Sequence, residues 1–194
     1  MNNLSNFYSS FDSSDYSQSS SNIRFKNIFE GIKIDEKSIL DYGCGPGNLV
    51  SWFKTQSIFP KYYFGYDLRR ETIEYASHKF ECHQNLEFSD SLPKMKFDLI
   101  VLCGTISYAF DDVSNCKFYY RNEIKNAINN LLKPDGILLA TARKRGWEFS
   151  KSGHKMITYT DVELKDIGAS KLVDLFDHEF IFEIKKESFN NDNS

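Results

Sequence analysis

Three glycines at alternate positions, Gly43, Gly45 and Gly47, sit inside the run Ile39-Leu-Asp-Tyr-Gly-Cys-Gly-Pro-Gly-Asn-Leu49. Such spacing permits a tight turn and leaves room for a ligand to touch backbone. A helix starting after the turn offers unpaired N–H groups and a positive dipole end to a polar or anionic group. Asp67 lies 20 residues beyond the last glycine. A carboxylate there can accept two hydrogen bonds from a ribose diol. Asp90, with Ser91 beside it, is a short polar group of the kind that meets an adenine edge. Asp41 precedes the turn by two residues, where it either ties the loop together or accepts from a ligand ammonium. An anion at that point is awkward for pyrophosphate and favourable for a cationic head. Asn48 occupies the place of the third Gly or Ala of the dinucleotide fingerprint, which is therefore incomplete.

The elements that would position these groups follow from periodicity. Phe25, Ile28, Phe29 and Ile32 mark one face of a helix, with Ser19–Ser21 as its cap. Residues 37–42 read as a first strand, and Leu49, Val50, Trp52 and Phe53 lie on the helix after the glycine turn. Tyr62–Tyr66 is a second strand ending in Asp67, followed by a helix over 70–80 and a short third strand at 85–88. The near-continuous apolar run Phe97–Cys103 suits a strand buried on both faces of a parallel sheet. A long helix carries Ile124, Ala127, Ile128, Leu131 and Leu132 on one stripe. Lys133-Pro-Asp-Gly136 is a turn, and Ile137–Thr141 a fifth strand. Residues 142–159 read as a polar loop, and Thr160-Asp-Val-Glu163 as a capping box opening a short helix. Two strands, 171–176 and 179–185, form a terminal hairpin, and the polar tail after Lys186 is expected to fray.

Strands alternating with helices predict an α/β, doubly wound, mostly parallel sheet with an antiparallel terminal strand. Ligands of such sheets bind beyond the carboxyl ends of the strands, at the topological switch point. The glycine turn, Asp67, Asp90 and the Cys103-Gly104 pair all fall at strand ends in this reading.

The bulk properties fit one domain. The chain has 194 residues, 41% hydrophobic and 26% charged, with a net charge of −3. That balance carries no electrostatic footprint for nucleic acid or an anionic membrane. No apolar run approaches bilayer length, no secretory signal is visible, and the four cysteines show no metal-ligand spacing. A cytoplasmic protein, monomeric or homodimeric and without a metal, is expected. Residues 1–21 hold nine serines and almost no aliphatic residues, so they read as a flexible tail. Their interleaved aromatics, Phe7, Tyr8, Phe11 and Tyr16, argue for the alternative of a lid over a ligand.

The segments ILDYGCGPGNL, YYFGYDLRRETIEYA, FDLIVLCGTISYAF and LLKPDGILLATA, in this order, resemble the successive motifs of class I S-adenosylmethionine-dependent methyltransferases. The resemblance spans residues 22–186 and implies a Rossmann-like seven-stranded sheet in the order 3-2-1-4-5-7-6, with 187–194 as a polar tail. It implies that Asp41, Gly43, Gly45 and Gly47 hold the amino-acid part of S-adenosylmethionine. Asp67 would hold the ribose, with Leu68 against adenine. Asp90 and Ser91 would meet the adenine amino end, and Cys103 and Gly104 would lie near the methyl donor. One departure is the stretch Ser89–Lys96, too short for the helix usual between the third and fourth strands.

The acceptor is less legible, because methyl transfer from a sulfonium asks the protein mainly for alignment and water exclusion. Cys103-Gly-Thr-Ile-Ser-Tyr108 is neither the Asn/Asp-Pro-Pro-aromatic tetrad of amino-directed nucleic-acid methylases nor the Pro-Cys pair of cytosine C5 methylases. His154 is the histidine placed to act as a base, and Tyr108 and Tyr16 are candidates to line the acceptor pocket. Arg143-Lys-Arg-Gly-Trp147, with Lys151 and Lys155, forms a basic cluster with one stacking face. The leading expectation is a small-molecule O or N acceptor. The alternatives are an RNA (tRNA) methyltransferase using the basic loop 143–155, and a non-catalytic cofactor-binding regulatory subunit. A nicotinamide dehydrogenase is the most distant reading.

Overall fold

The computed structural model describes residues 18–81, 83–149 and 155–191. Tyr16, Lys151 and His154, all singled out from the sequence, lie outside these residues, as does most of the expected lid. In chain order the elements are α1 (Gln18–Ile28), β1 (Ser38–Tyr42), α2 (Asn48–Gln56), β2 (Tyr62–Tyr66), α3 (Arg70–Lys79), β3 (Leu86–Ser89) and β4 (Phe97–Leu102). Then come α4 (Val113–Asn126), which runs on as a π-helical turn at Ala127–Leu131, and β5 (Leu132–Lys144). The chain closes with β6 (Thr158–Tyr159), α5 (Asp161–Asp166), β7 (Lys171–Leu175), β8 (Glu179–Lys185) and α6 (Lys186–Asn191).

The sheet order is β3-β2-β1-β4-β5-β8-β7, with the two-residue β6 attached to the end of β5. All pairs from β3 to β5 are parallel, and β8 runs antiparallel to both β5 and β7. This is the Rossmann-like order expected from the sequence, with β6 inserted and the last two strands renumbered. Between β1 and β4 the order in which successive strands are added reverses, which opens a crevice above their carboxyl ends.

Both faces of the sheet are covered, which is why β1 is buried along its whole length. On one face Phe29, just after α1, stacks on Trp52 of α2 at 5.5 Å, and both close over Ile39 and Leu99. On the other, Cys116, Tyr120 and Ile124 of α4 pack on Leu40, Ile100 and Leu102. The capping box of α5 is present as expected: Glu163 N donates to Thr160 Oγ1, and Thr160 N donates to Glu163 Oε2. No helix among the described residues is long and apolar enough to cross a membrane.

Five expectations are corrected. Ser19–Ser21 lie inside α1 rather than capping it, so the helix begins within the segment assigned to the tail. Leu132 opens β5 instead of closing the preceding helix; pairing Phe97↔Leu132 then Leu99↔Ile137 makes Lys133–Gly136 an irregularity of the strand. Residues 142–159 are not all loop. The strand continues to Lys144, and Met156 and Ile157 are buried. Phe97–Leu102 stops one residue short of Cys103, which starts the following loop. The tail after Lys185 folds as α6: Phe189 is buried against Gly168, and Lys186 Nζ donates to the carbonyls of Asn129 and Leu132 at 3.1 and 2.7 Å. Asn129 lies in the π-helical turn and Leu132 opens β5, so the ammonium sits where the chain changes from helix to strand and carbonyls leave the helical ladder.

Candidate active site

The glycine turn is pinned on two sides. Gly43 N and Cys44 N both donate to Tyr66 O, at 2.7 and 2.9 Å, joining the turn to the end of β2. On the other side Thr105 Oγ1 donates to Tyr42 O at 2.9 Å, and a Cβ on Gly43 would meet that hydroxyl at 2.6 Å. Gly47 caps α2 in the left-handed region (φ 80°), with the Phe80 ring 2.5 Å from where its Cβ would stand. Gly45 differs. Its φ of +53° also favours glycine, but a Cβ there would meet nothing within 4 Å. Gly104, after β4, is bare in the same way. Both glycines line the crevice.

Two carboxylates flank the turn. Asp67 is buried, and its Oδ2 accepts from Gly45 N at 2.9 Å. Its Oδ1 accepts from Arg69 N at 3.0 Å and Arg69 Nε at 3.3 Å. A carboxylate offers about four acceptor positions, so it can still take hydroxyls from the crevice side. Asp41 lies deeper, accepting from Tyr63 Oη at 2.8 Å. Burial pushes its carboxyl up to about 7 against the pull of the Tyr63 bond, with the charge of Asp67 adding to the rise.

The crevice has two lobes that share Gly43, Cys103, Gly104 and Tyr108. One lobe runs from Asp41 and Gly45 towards Arg24, Arg143 and Glu179; the other runs past Asp67 and Leu68 to Tyr66. Leu68 is half exposed beside Asp67, as an apolar cover for a planar group should be. Tyr108 stands between the lobes, with its carbonyl accepting from Tyr120 Oη at 3.0 Å. Cys103 faces the crevice, but burial drives its thiol up to about 12, which suits packing rather than nucleophilic attack. Asp90 and Ser91 stand exposed beyond β3 and line neither lobe. Trp147 is exposed on the loop after β5 and lines neither lobe.

Other groups of the crevice were not anticipated. Arg24 of α1 donates from Nε to Glu179 Oε2 of β8 at 2.7 Å, a pair that is mostly buried and lies 155 residues apart in sequence. Burial, the largest influence, lowers the Arg24 value, but the charge of Glu179, its hydrogen bond and smaller contributions from Cys103 and Tyr108 together raise it, so the guanidinium stays protonated. Ser107 and Met156 complete the same wall. No local pattern marks them, because each reaches the site through tertiary pairing. Ser107 Oγ accepts from Arg143 N at 3.1 Å, and Ile157 N donates to Ser107 O at 2.8 Å.

The residues present fit an adenosyl ligand with a cationic amino-acid end. Bare backbone at Gly45 and Gly104 leaves space where any side chain would fill the crevice. Asp67 offers a diol acceptor, and Asp41 a buried carboxyl that a cation would ionise. Groups of three or more metal-ligating side chains are absent among the described residues.

The chain is similar to known proteins at two levels. Residues 18–178 match a family model described as a methyltransferase domain. The fold is similar to that of the PH0226 protein from Pyrococcus horikoshii, with a TM-score of 0.66 and 15% identity over 93% of this chain and 98% of that one. The N-methyltransferase NodS from Bradyrhizobium japonicum gives 0.61 and 15% over 90% and 97%, and it has also been solved with S-adenosyl-L-homocysteine. An S-adenosylmethionine-dependent methyltransferase from Mesorhizobium loti gives 0.62 and 12% over 84% and 97%. No curated protein matches the sequence. The match along residues 18–178 places the chain in the methyltransferase-domain family, and with its sheet order it belongs to the class I S-adenosylmethionine-dependent methyltransferases.

Proposed function

We propose that the protein transfers a methyl group from S-adenosylmethionine to an oxygen or nitrogen of a small molecule held in the Arg24–Arg143 lobe. The observation that carries this reading is the crevice itself, where bare Gly45 and Gly104 are bracketed by Asp41 and Asp67 and the far wall carries Arg24, Glu179 and Arg143. When bound, S-adenosylmethionine supplies a methyl group on a positively charged sulfur, already activated for displacement. The chain's own residues then have three tasks. Asp67 and the Gly45 amide fix the ribose end, and Leu68 covers the base. Asp41 and the glycine turn hold the amino-acid end, where an ammonium would keep the Asp41 carboxyl ionised. Cys103, Gly104 and Tyr108, shared by both lobes, form the junction at which acceptor and methyl group would be aligned and water excluded.

Proton removal is needed only where the acceptor is protonated, and His154 remains the candidate base proposed from sequence. Tyr16 and the segment before it are proposed to close over the crevice, because α1 brings Ser21 and Arg24 to its wall. The RNA reading is weaker, since Lys144 of the basic loop is already paired with Asp174 at 2.8 Å. Among the described residues Cys44, Cys103 and Cys116 are free thiols, which fit the reducing cytoplasm proposed as its compartment, where it would act as a monomer or homodimer. The test is incubation with methyl-labelled S-adenosylmethionine and fractionated cell extract. Label in the small-molecule fraction supports the reading; label confined to RNA or protein contradicts it.

A further inference from the structure

Arg143 is half-buried in the wall of the crevice, and its guanidinium has no hydrogen-bond or ion-pair partner among the described residues. The neighbouring cation is not in that position: Arg24 is matched by Glu179. The lobe therefore presents one guanidinium unmatched by a carboxylate, and an unmatched half-buried cation favours an anion with planar, bidentate geometry.

Beside it stands a set of aromatic rings. Arg143 pairs in register with Glu179, and Lys144 N donates to His178 O at 3.0 Å, so the hairpin turn and the loop after β5 are held together. Across that junction Trp147 lies 5.1 Å from His178, and Phe176 stacks on His178 at 5.5 Å with 9° between planes. Phe176 holds this position with a φ of 58°. A bulky residue in the left-handed region is strained, and such strain collects at binding sites. Trp147 is 46% exposed and Phe176 38% exposed, so ring surface is left open to a ligand. His178 is held below its ordinary value, by burial first and then by Arg143 and Arg24 against the opposing pull of Glu179 and Asp177. A neutral imidazole is thus part of the shelf at neutral pH, within electrostatic reach of the crevice cations.

We propose that the acceptor is an aromatic acid, with its carboxylate on Arg143 and its ring against the Trp147–His178–Phe176 shelf. This rests on the methyltransferase reading and names the substrate class of the same lobe. The shelf adjoins the crevice wall by sequence and charge: His178 directly precedes Glu179, the register partner of Arg143, and it feels the charges of Arg143 and Arg24, so a ligand both planar and anionic suits both features.

The test is calorimetry on the full chain saturated with S-adenosyl-L-homocysteine. The probes are 4-hydroxybenzoate and 2-aminobenzoate, the uncharged phenol and aniline, and the non-aromatic hexanoate. At least one benzoate is expected to bind tenfold or more tighter than its uncharged counterpart and than hexanoate. Arg143→Gln, saturated with S-adenosyl-L-homocysteine like the natural chain, should erase the preference over the uncharged counterpart. Trp147→Ala, at an exposed position, should weaken benzoate and neutral ring alike. Equal affinities across the panel, no benzoate binding, or a preference that survives Arg143→Gln would overturn the aromatic-acid assignment while leaving the methyltransferase reading in place. Failure of S-adenosyl-L-homocysteine to bind would instead remove the reading on which the assignment rests.

Discussion

The backbone amide of Gly45 donates to the Asp67 carboxylate at 2.9 Å, linking the middle of the glycine turn to the end of β2 across 22 residues of sequence. Arg69 holds the second oxygen of the same carboxylate. Asp67 is therefore oriented before any ligand arrives. Its entropy loss on binding is small, and the position of the turn and that of the carboxylate proposed to accept from the ribose are set together.

The glycines of the turn should separate in their effects. Gly47→Ala puts a methyl group 2.5 Å from the Phe80 ring in a left-handed conformation. Its cost in urea unfolding is expected at about 3 kcal/mol, strain plus overpacking. Gly45→Ala meets no neighbour and should cost about 1 kcal/mol from strain alone. In calorimetry, however, its methyl group occupies the ligand side of the crevice and should weaken cofactor affinity by tenfold or more, about 1.4 kcal/mol.

Asp41 should govern part of the pH dependence of stability. Its folded value of about 7 lies above the ordinary 3.8, chiefly through burial. Between those values the folded chain keeps a proton that the unfolded chain gives up. Its contribution to stability therefore declines as pH rises from 4 to 7, and none of the lost part returns above that. Asp41→Asn removes the titration while keeping an acceptor for Tyr63 Oη. Thermal melts at pH 5 and pH 8 should show a smaller drop in Tm for the variant than for the natural chain.

Much of the architecture was legible because it is written in local patterns. The apolar run at 97–102, the Thr160–Glu163 capping box and the alternation of Phe180, Phe182 and Ile184 each fixed an element from its own residues. The carboxylates of the crevice were legible for the same reason, since each ends or follows a strand. What escaped depends on distance in sequence. The Arg24–Glu179 pair joins α1 to β8, and Tyr42 Oη donates to Glu123 from β1 to α4; nothing near either partner announces the other. Asp90 and Ser91 were read from their place after the third strand as well as from the resemblance, and they sit exposed where β3 leads directly to β4 without an intervening helix.

The terminal helix α6 was missed because KESFNN carries one apolar residue and little helical signal. Its stability comes from tertiary contacts, Phe189 against Gly168 and Ile184 and Lys186 on the carbonyls of Asn129 and Leu132. Phe189→Ala is therefore expected to cost about 3 kcal/mol in urea unfolding. A chain ended after Lys185 should lose at least as much. A frayed tail would give no change in either.

The central claim, that the crevice at Gly45 and Asp67 binds S-adenosylmethionine, is tested most directly by titrating S-adenosyl-L-homocysteine into the natural chain and into Asp67→Ala by calorimetry, with far-UV circular dichroism on both. Losing charge-assisted hydrogen bonds worth about 1.5–3 kcal/mol each should lower affinity more than tenfold. The account predicts one-to-one binding by the natural chain, with binding lost or weakened at least tenfold in a variant of native spectrum. Equal affinity in the two proteins, or no binding by the natural chain, would contradict it.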